Sequence, residues 1–221
     1  MSKSVVIVCT SENKLGDHDT GAWSEEITGP YWVFKDKGYN VSFASVQGGK
    51  VPIDEASLSA TFLTENDKRF EAEGVLEQLK DTPQISDIKV DDVDCVFFAG
   101  GHGTVVDFPK KCGDLATAAY GKGKIVAAVC HGPTALYAAK DGEEPLVKGK
   151  QVAGFSDEEE VAVGLKDKVD YTPEGKLKEL GGIYSKGDPW SEYAVRDGNL
   201  VTGQNPQSSV KCAQLVVEAL G

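Results

Sequence analysis

The chain has 221 residues, 40% of them hydrophobic and 26% charged, which is the composition of a globular protein with a substantial core. Its formal net charge of −12 argues against nucleic acid or an anionic membrane as partner, since like charge repels. Five cysteines, an odd number without paired spacing, fit a reducing compartment rather than a disulfide framework, and the cytoplasm is the expected location.

In chain order, short apolar runs alternate with amphipathic stretches, the signature of a parallel α/β sheet. Val5–Cys9 reads as the first strand. Thr10-Ser11-Glu12-Asn13-Lys14 interrupts it, so it is too short for a membrane span or a secretory leader. Ser24 is placed to cap a helix towards Lys37, kinked at Pro30 and stopped by Gly38. Val41–Ala44 is the next strand. Thr64–Lys80 reads as one helix with Ala72, Val75, Leu76 and Leu79 on one face. Cys95–Ala99 and Ile125–Val129 are continuous apolar runs, as central parallel strands require, with Lys111–Tyr120 as the crossover helix. Gln151–Phe155 reads as a further strand, and Asp157–Val163 and Pro173–Leu180 as helices, the latter capped by Thr172. Arg196-Asp197-Gly198-Asn199 predicts the turn of an antiparallel pair within Ala194–Thr202, and Pro206–Leu220 closes the chain as a helix. With no repeat or linker, a single domain spanning 1–221 is expected.

Val126-Ala127-Ala128-Val129-Cys130-His131-Gly132-Pro133 is the most informative stretch. Strand, sharp turn and helix start form a nucleophile elbow that lifts the Cys130 thiol from the end of a parallel strand. Helix amides aimed at that thiol would favour thiolate. Neighbouring side chains at a sharp turn diverge, so His131 need not pair with Cys130, although its amide is suited to an oxyanion site. The glycines of Phe98-Ala99-Gly100-Gly101-His102-Gly103-Thr104 fit neither a dinucleotide fingerprint nor a Walker loop; they fit close approach of bare amides to a ligand. His102 reads as a turn or supporting residue rather than a base. If the strands before Gly100 and Cys130 are adjacent, donor and nucleophile share a pocket at the carboxyl edge.

One of Glu25 and Glu26, in the loop after the first strand, can point at the same edge; partial burial beside a thiol would raise its pKa. One member of the acidic run Asp157-Glu158-Glu159-Glu160 can orient His131 and complete a Cys-His-Glu triad; otherwise the run is a solvated helix start. With three histidines in all, two of them tied to these motifs and His18 standing alone, no metal site is expected.

Together these motifs resemble the ThiJ/PfpI superfamily, relatives of the class I glutamine amidotransferases. The matching pieces run from Thr20-Gly21, Glu25-Glu26 and Pro30 through Ser45-x-x-Gly48-Gly49-x-x-Pro52-x-Asp54 to the Gly100–Pro109 and Ala127–Pro133 segments. They continue in Gly154-Phe155-Ser156-Asp157, Asp188-Pro189-Trp190-Ser191-x-Tyr193 and Asp197-Gly198-x-Leu200-x-Thr202-Gly203-x-Asn205-Pro206. The resemblance is strongest to the glutathione-independent glyoxalase III branch, whose members are also described as stress-inducible holding chaperones. It implies a flavodoxin-like three-layer sandwich with a mostly parallel central sheet. It also implies Cys130 as nucleophile, His131 beside it, Glu26 as the elbow-facing carboxyl, Glu160 as third triad member, and an oxyanion site at Gly100, Gly101 and the His131 amide. No cofactor is implied. The paired metal-binding histidines of some bacterial relatives are missing here, so no metal is carried over. Family members are often homodimers.

The expected reaction is conversion of a small dicarbonyl, methylglyoxal or glyoxal, to lactate or glycolate through a Cys130 hemithioacetal, with Glu26 or His131 moving the proton. Two other readings stand beside it. One is amide or peptide hydrolysis through acyl-Cys130; the other is a holding chaperone or redox sensor, which needs an exposed apolar patch.

Overall fold

The computed structural model describes residues 2–221. Its centre is a six-stranded sheet made of β1 (Ser4–Cys9), β2 (Asn40–Ser45), β3 (Cys95–Phe98), β4 (Ile125–Val129), β5 (Ala194–Asp197) and β6 (Leu200–Gly203). The spatial order is β5-β6-β4-β3-β1-β2. Every pairing is parallel except β5 with β6, which are joined through the two-residue turn Gly198-Asn199. That turn needs a left-handed residue, and Gly198 supplies it at φ 57.

Strand periodicity sorts the core into two layers. Val5, Ile7, Cys9, Phe97, Ala127 and Val129 face helices α1 (Glu25–Asp36) and α7 (Ser209–Leu220). Val6, Val8, Val96, Phe98, Val126 and Ala128 face α3 (Thr104–Lys111) and α4 (Gly113–Gly121). Both faces of the central strands are therefore apolar, which is why those strands read as unbroken apolar runs. The result is the three-layer α/β sandwich with a mostly parallel sheet. Three further α-helices are α2 (Glu65–Ala72), α5 (Asp157–Ala162) and α6 (Pro173–Glu179). Among the described residues no helix is long and apolar enough to cross a membrane.

Three expected elements differ. The Thr64–Lys80 helix breaks at Gly74, left-handed at φ 70, into α2 and a 3-10 turn Val75–Leu79. Val75 and Leu79 are buried after the break, and Leu76 is exposed. The β3-to-β4 crossover starts at Thr104 rather than Lys111, and the chain re-aims at Cys112 between two short helices. Gln151–Phe155 adds no strand to the main sheet, because β6 is already paired on both sides. Gln151–Val152 pairs instead with Ile183–Tyr184, and beyond it the Ala153 N–H donates to Thr202 Oγ1 (2.8 Å) and the Phe155 N–H to the Cys130 carbonyl (2.9 Å).

Candidate active site

β3 and β4 are adjacent and parallel, so the loops at Gly100–Gly103 and Cys130–Gly132 leave the same edge side by side. β4 ends in the sharp turn that its sequence predicts. Cys130 is left-handed at φ 61, one of two non-glycine residues among those described with positive φ. Such a backbone costs about 1–2 kcal/mol and persists only where its surroundings hold it. Here the Cys130 N–H donates to the Gly203 carbonyl (3.0 Å). Gly132 packs so tightly that a Cβ would stand 2.3 Å from the Phe98 carbonyl oxygen. The elbow leads only into a 3-10 turn, Gly132–Leu136, so no long helix dipole acts on the thiol.

The expectation of a thiolate-favouring site is corrected on this point. Burial pushes the Cys130 thiol well above its ordinary value, and the Gly101 amide opposes it only in part. A thiol raised in this way stays protonated unless a base takes its proton. An imidazole adjoins it: His131 Nδ1 lies 3.3 Å from Cys130 Sγ, so the two side chains converge rather than diverge at the turn. His131 Nε2 is 2.7 Å from Glu160 Oε2, and His102 Nε2 is 2.7 Å from Glu160 Oε1. Burial alone would raise Glu160, but the two imidazoles outweigh it and hold the carboxyl well below the usual range. As a carboxylate Glu160 only accepts, so His131 carries its proton on Nε2 and turns the Nδ1 lone pair to the thiol.

Glu26 comes from the first turn of α1 and is fully buried. Neither of its carboxyl oxygens has a hydrogen-bond partner of good geometry; the Cys130 thiol and the Gly100 amide are its polar neighbours. Burial pushes this carboxyl well above its ordinary value, which makes it a neutral acid beside the nucleophile. Glu25 turns the other way and accepts from Thr64 Oγ1 and Asn66 Nδ2, tying α1 to α2. Gly100 has no room for a side chain: a Cβ there would meet Glu26 Oε2 at 2.2 Å and the Val129 carbonyl oxygen at 2.6 Å. Gly101, at φ 98, would meet the Gly21 carbonyl oxygen at 2.3 Å.

An open cleft of about 950 Å³ adjoins this array, walled by Trp23, Pro52, Phe62, His102 and Leu165, with His18, Asp19, Lys50 and Asp54 adding polar groups. His102 is the member of the array that lines the cleft. His102, His131 and Glu160 also present three ligand atoms within 4.8 Å of one another, the one such group among the described residues. Both carboxylate oxygens in it already pair with an imidazole.

Some contributors escape a reading of the sequence. In the run Glu158-Glu159-Glu160 the three carboxylates have three different fates. Glu158 pairs at the surface with Lys186. Glu159 forms a capping box with Ser156 and also accepts from the Trp190 amide, Gln204 and Asn205. Only Glu160 reaches the histidines. The S-x-x-E spacing announces the cap, but nothing local announces Gln204 and Asn205, which arrive from the end of β6, far along the chain.

A mostly parallel α/β sandwich with a left-handed cysteine at a strand end and a buried Cys-His-Glu array defines a class of nucleophile-elbow proteins. The chain belongs to the DJ-1/PfpI family, which matches residues 19–219. It is 36% identical to Glyoxalase 3 of Candida albicans, covering 97% of each chain. It is also 36% identical to the glutathione-independent glyoxalase HSP31 of Saccharomyces cerevisiae, covering 99% of this chain and 98% of that one. The crystal structure of glyoxalase III from Candida albicans superposes with a TM-score of 0.91 at 34% identity, over 98% of this chain and 97% of that one.

Proposed function

We propose that this protein is a glutathione-independent glyoxalase that converts methylglyoxal to lactate, and glyoxal to glycolate, with the whole chain forming one catalytic domain. The observation that carries the reading is the thiol of Cys130 set between two proton-handling groups, His131 Nδ1 and the neutral carboxyl of Glu26. Full-length similarity to glyoxalases supports it.

The arrangement gives each group one task. His131 takes the thiol proton as sulfur attacks the aldehyde carbon. The oxygen that becomes negative lies among the amides of Gly100, Gly101 and His131, where one well-placed donor contributes roughly 3–4 kcal/mol. Glu26 gives its proton to that oxygen and is left a carboxylate, the form able to take the C–H proton of the hemithioacetal. His131 passes the thiol proton to the former ketone oxygen, giving the enediol. Glu26 then returns the C–H proton to that neighbouring carbon and takes back the hydroxyl proton as the carbonyl of the lactoyl thioester forms on Cys130. Water then cleaves the thioester, releasing lactate and regenerating the thiol.

Lactate formation from methylglyoxal in glutathione-free buffer tests this, with Cys130→Ala and Glu26→Gln as controls. Lactate from the wild type and from neither variant is expected; turnover by Cys130→Ala would remove the reading. Five cysteines without disulfide partners suit a reducing cytoplasm, and sedimentation tests the homodimer that the family resemblance implies.

A holding-chaperone activity has an observation of its own. Leu58 and Leu76, on the segment between β2 and β3, are both exposed and line one pocket. Client protection that survives Cys130→Ala would assign it to this surface rather than to the thiol.

A further inference from the structure

Glu160 is fully buried, and its two oxygens serve two different imidazoles at the same distance, 2.7 Å. The ring centroids of His102 and His131 are 4.0 Å apart. The proposed reaction uses only one of these pairs, His131 with Oε2. We infer that His102 is a positioning residue: by donating Nε2–H to Oε1 it holds Glu160 as the acceptor that keeps His131 in its Nε2–H tautomer, with the Nδ1 lone pair on the Cys130 thiol. This rests on the glyoxalase reading only for its kinetic readout.

The number of donors around Glu160 is the reason. No side chain other than the two histidines hydrogen-bonds its carboxylate. Without His102, Oε1 is an unpaired oxygen on a carboxylate shielded from water, and the cheapest remedy is to bind a proton. A protonated Glu160 has an O–H to give. Given to His131, it makes Nε2 an acceptor and sends the imidazole proton to Nδ1, against the thiol. The base is then lost although every heavy atom stays in place.

The fold also fixes His102 for this task. Gly101 before it is left-handed and closed in by the Gly21 carbonyl, and Thr104 Oγ1 after it donates to the carbonyls of Gly101 (2.8 Å) and His131 (3.1 Å). Those bonds lace the His102 loop to the elbow. His102 itself is neutral, because burial first and His131 second hold it below its ordinary value, so it has a single N–H to give.

The test compares His102→Gln, whose amide reaches about as far as Nε2, with His102→Asn, which carries the same amide on a shorter stem. His102→Asn should lose roughly 10²-fold in kcat, the scale of an acid–base group, with KM little changed, and His102→Gln should recover most of it. Nitrogen-15 spectra of the three histidines read the tautomer directly: His131 should be Nε2–H in the wild type and His102→Gln, and shifted towards Nδ1–H in His102→Asn. Thermal melts identify a variant that does not fold, and His102→Leu then replaces it under the same readouts. Full kcat in a folded His102→Asn, or an unchanged His131 tautomer, overturns the inference. Should the wild type not turn over methylglyoxal, the glyoxalase reading fails, and the tautomer comparison still decides the role of His102.

Discussion

Cys9 and Cys130 each end a parallel strand, β1 and β4, at one edge of the sheet, yet only one is equipped to react. Both are buried, and burial pushes both thiols up. Each even has a buried carboxyl beside it whose own pKa is raised, Asp107 near Cys9 and Glu26 near Cys130. The differences are the backbone and the base. Cys130 sits in a left-handed turn with an imidazole nitrogen at 3.3 Å, and among the polar contacts of the Cys9 end there is no imidazole. Burial at a sheet edge is thus common to both thiols, and the adjacent imidazole is what sets Cys130 apart.

The sharpest way to break this comparison is to remove each thiol in turn. Cys130→Ala should lower lactate formation by at least about 10³-fold, whereas Cys9→Ala should keep it within about threefold. Comparable losses from both would show that burial, not the base, sets reactivity.

Next in size is Glu160→Gln, expected to lower kcat by roughly 10²-fold, because an amide has one acceptor oxygen for two imidazole donors. Glu26→Gln should leave alkylation of Cys130 by iodoacetamide at pH 8 within about threefold, since the neutral carboxyl and the amide are both uncharged. A much faster reaction would mean that Glu26 is ionised beside the thiol.

The Asp107 end of the comparison predicts stability rather than rate. Asp107 accepts from Thr10 Oγ1 and the Ser11 amide, each at 2.9 Å, and leaves Oδ1 unpaired; burial pushes it up to about 7. A carboxyl raised by folding stabilises the fold fully below its unfolded value near 4, and that contribution is lost as pH rises through about 7. Unfolding free energy should fall by roughly 4 kcal/mol across this window from this group alone. Asp107→Asn should flatten that part of the denaturation–pH profile while leaving turnover largely unchanged. The smallest effect expected is from Ser156→Ala, which removes the α5 cap and should cost about 1 kcal/mol in denaturant melts.

Much of this site is legible in the chain before it folds. The elbow can be read from an apolar run ending in Cys-His-Gly-Pro, and the close approach at Gly100 and Gly101 from consecutive glycines after a strand. Helix ends at Gly38 and Thr172 follow from capping chemistry, whereas the Ser24 hydroxyl, expected to cap α1, donates instead to Asp67. The break at Gly74 is not legible, because a lone glycine in a periodic stretch is compatible with either a continuous or a broken helix. The protonation of Cys130 escapes for a related reason. A helix-start pattern suggests stabilising amides, but the turn is too short for them and the burial too complete.

By itself, the sequence determined the strands of the central sheet and the sharp turn that presents Cys130, since these depend on local periodicity and turn chemistry, which act over a few residues. Only the tertiary structure decided which of three consecutive glutamates meets the histidines, that Glu26 and not Glu25 is sealed behind the thiol, and that His102 shares the carboxylate of Glu160. Those choices depend on desolvation and on distances between loops far apart in the chain. Neither exists until the sheet brings its edge loops together and excludes water from between them.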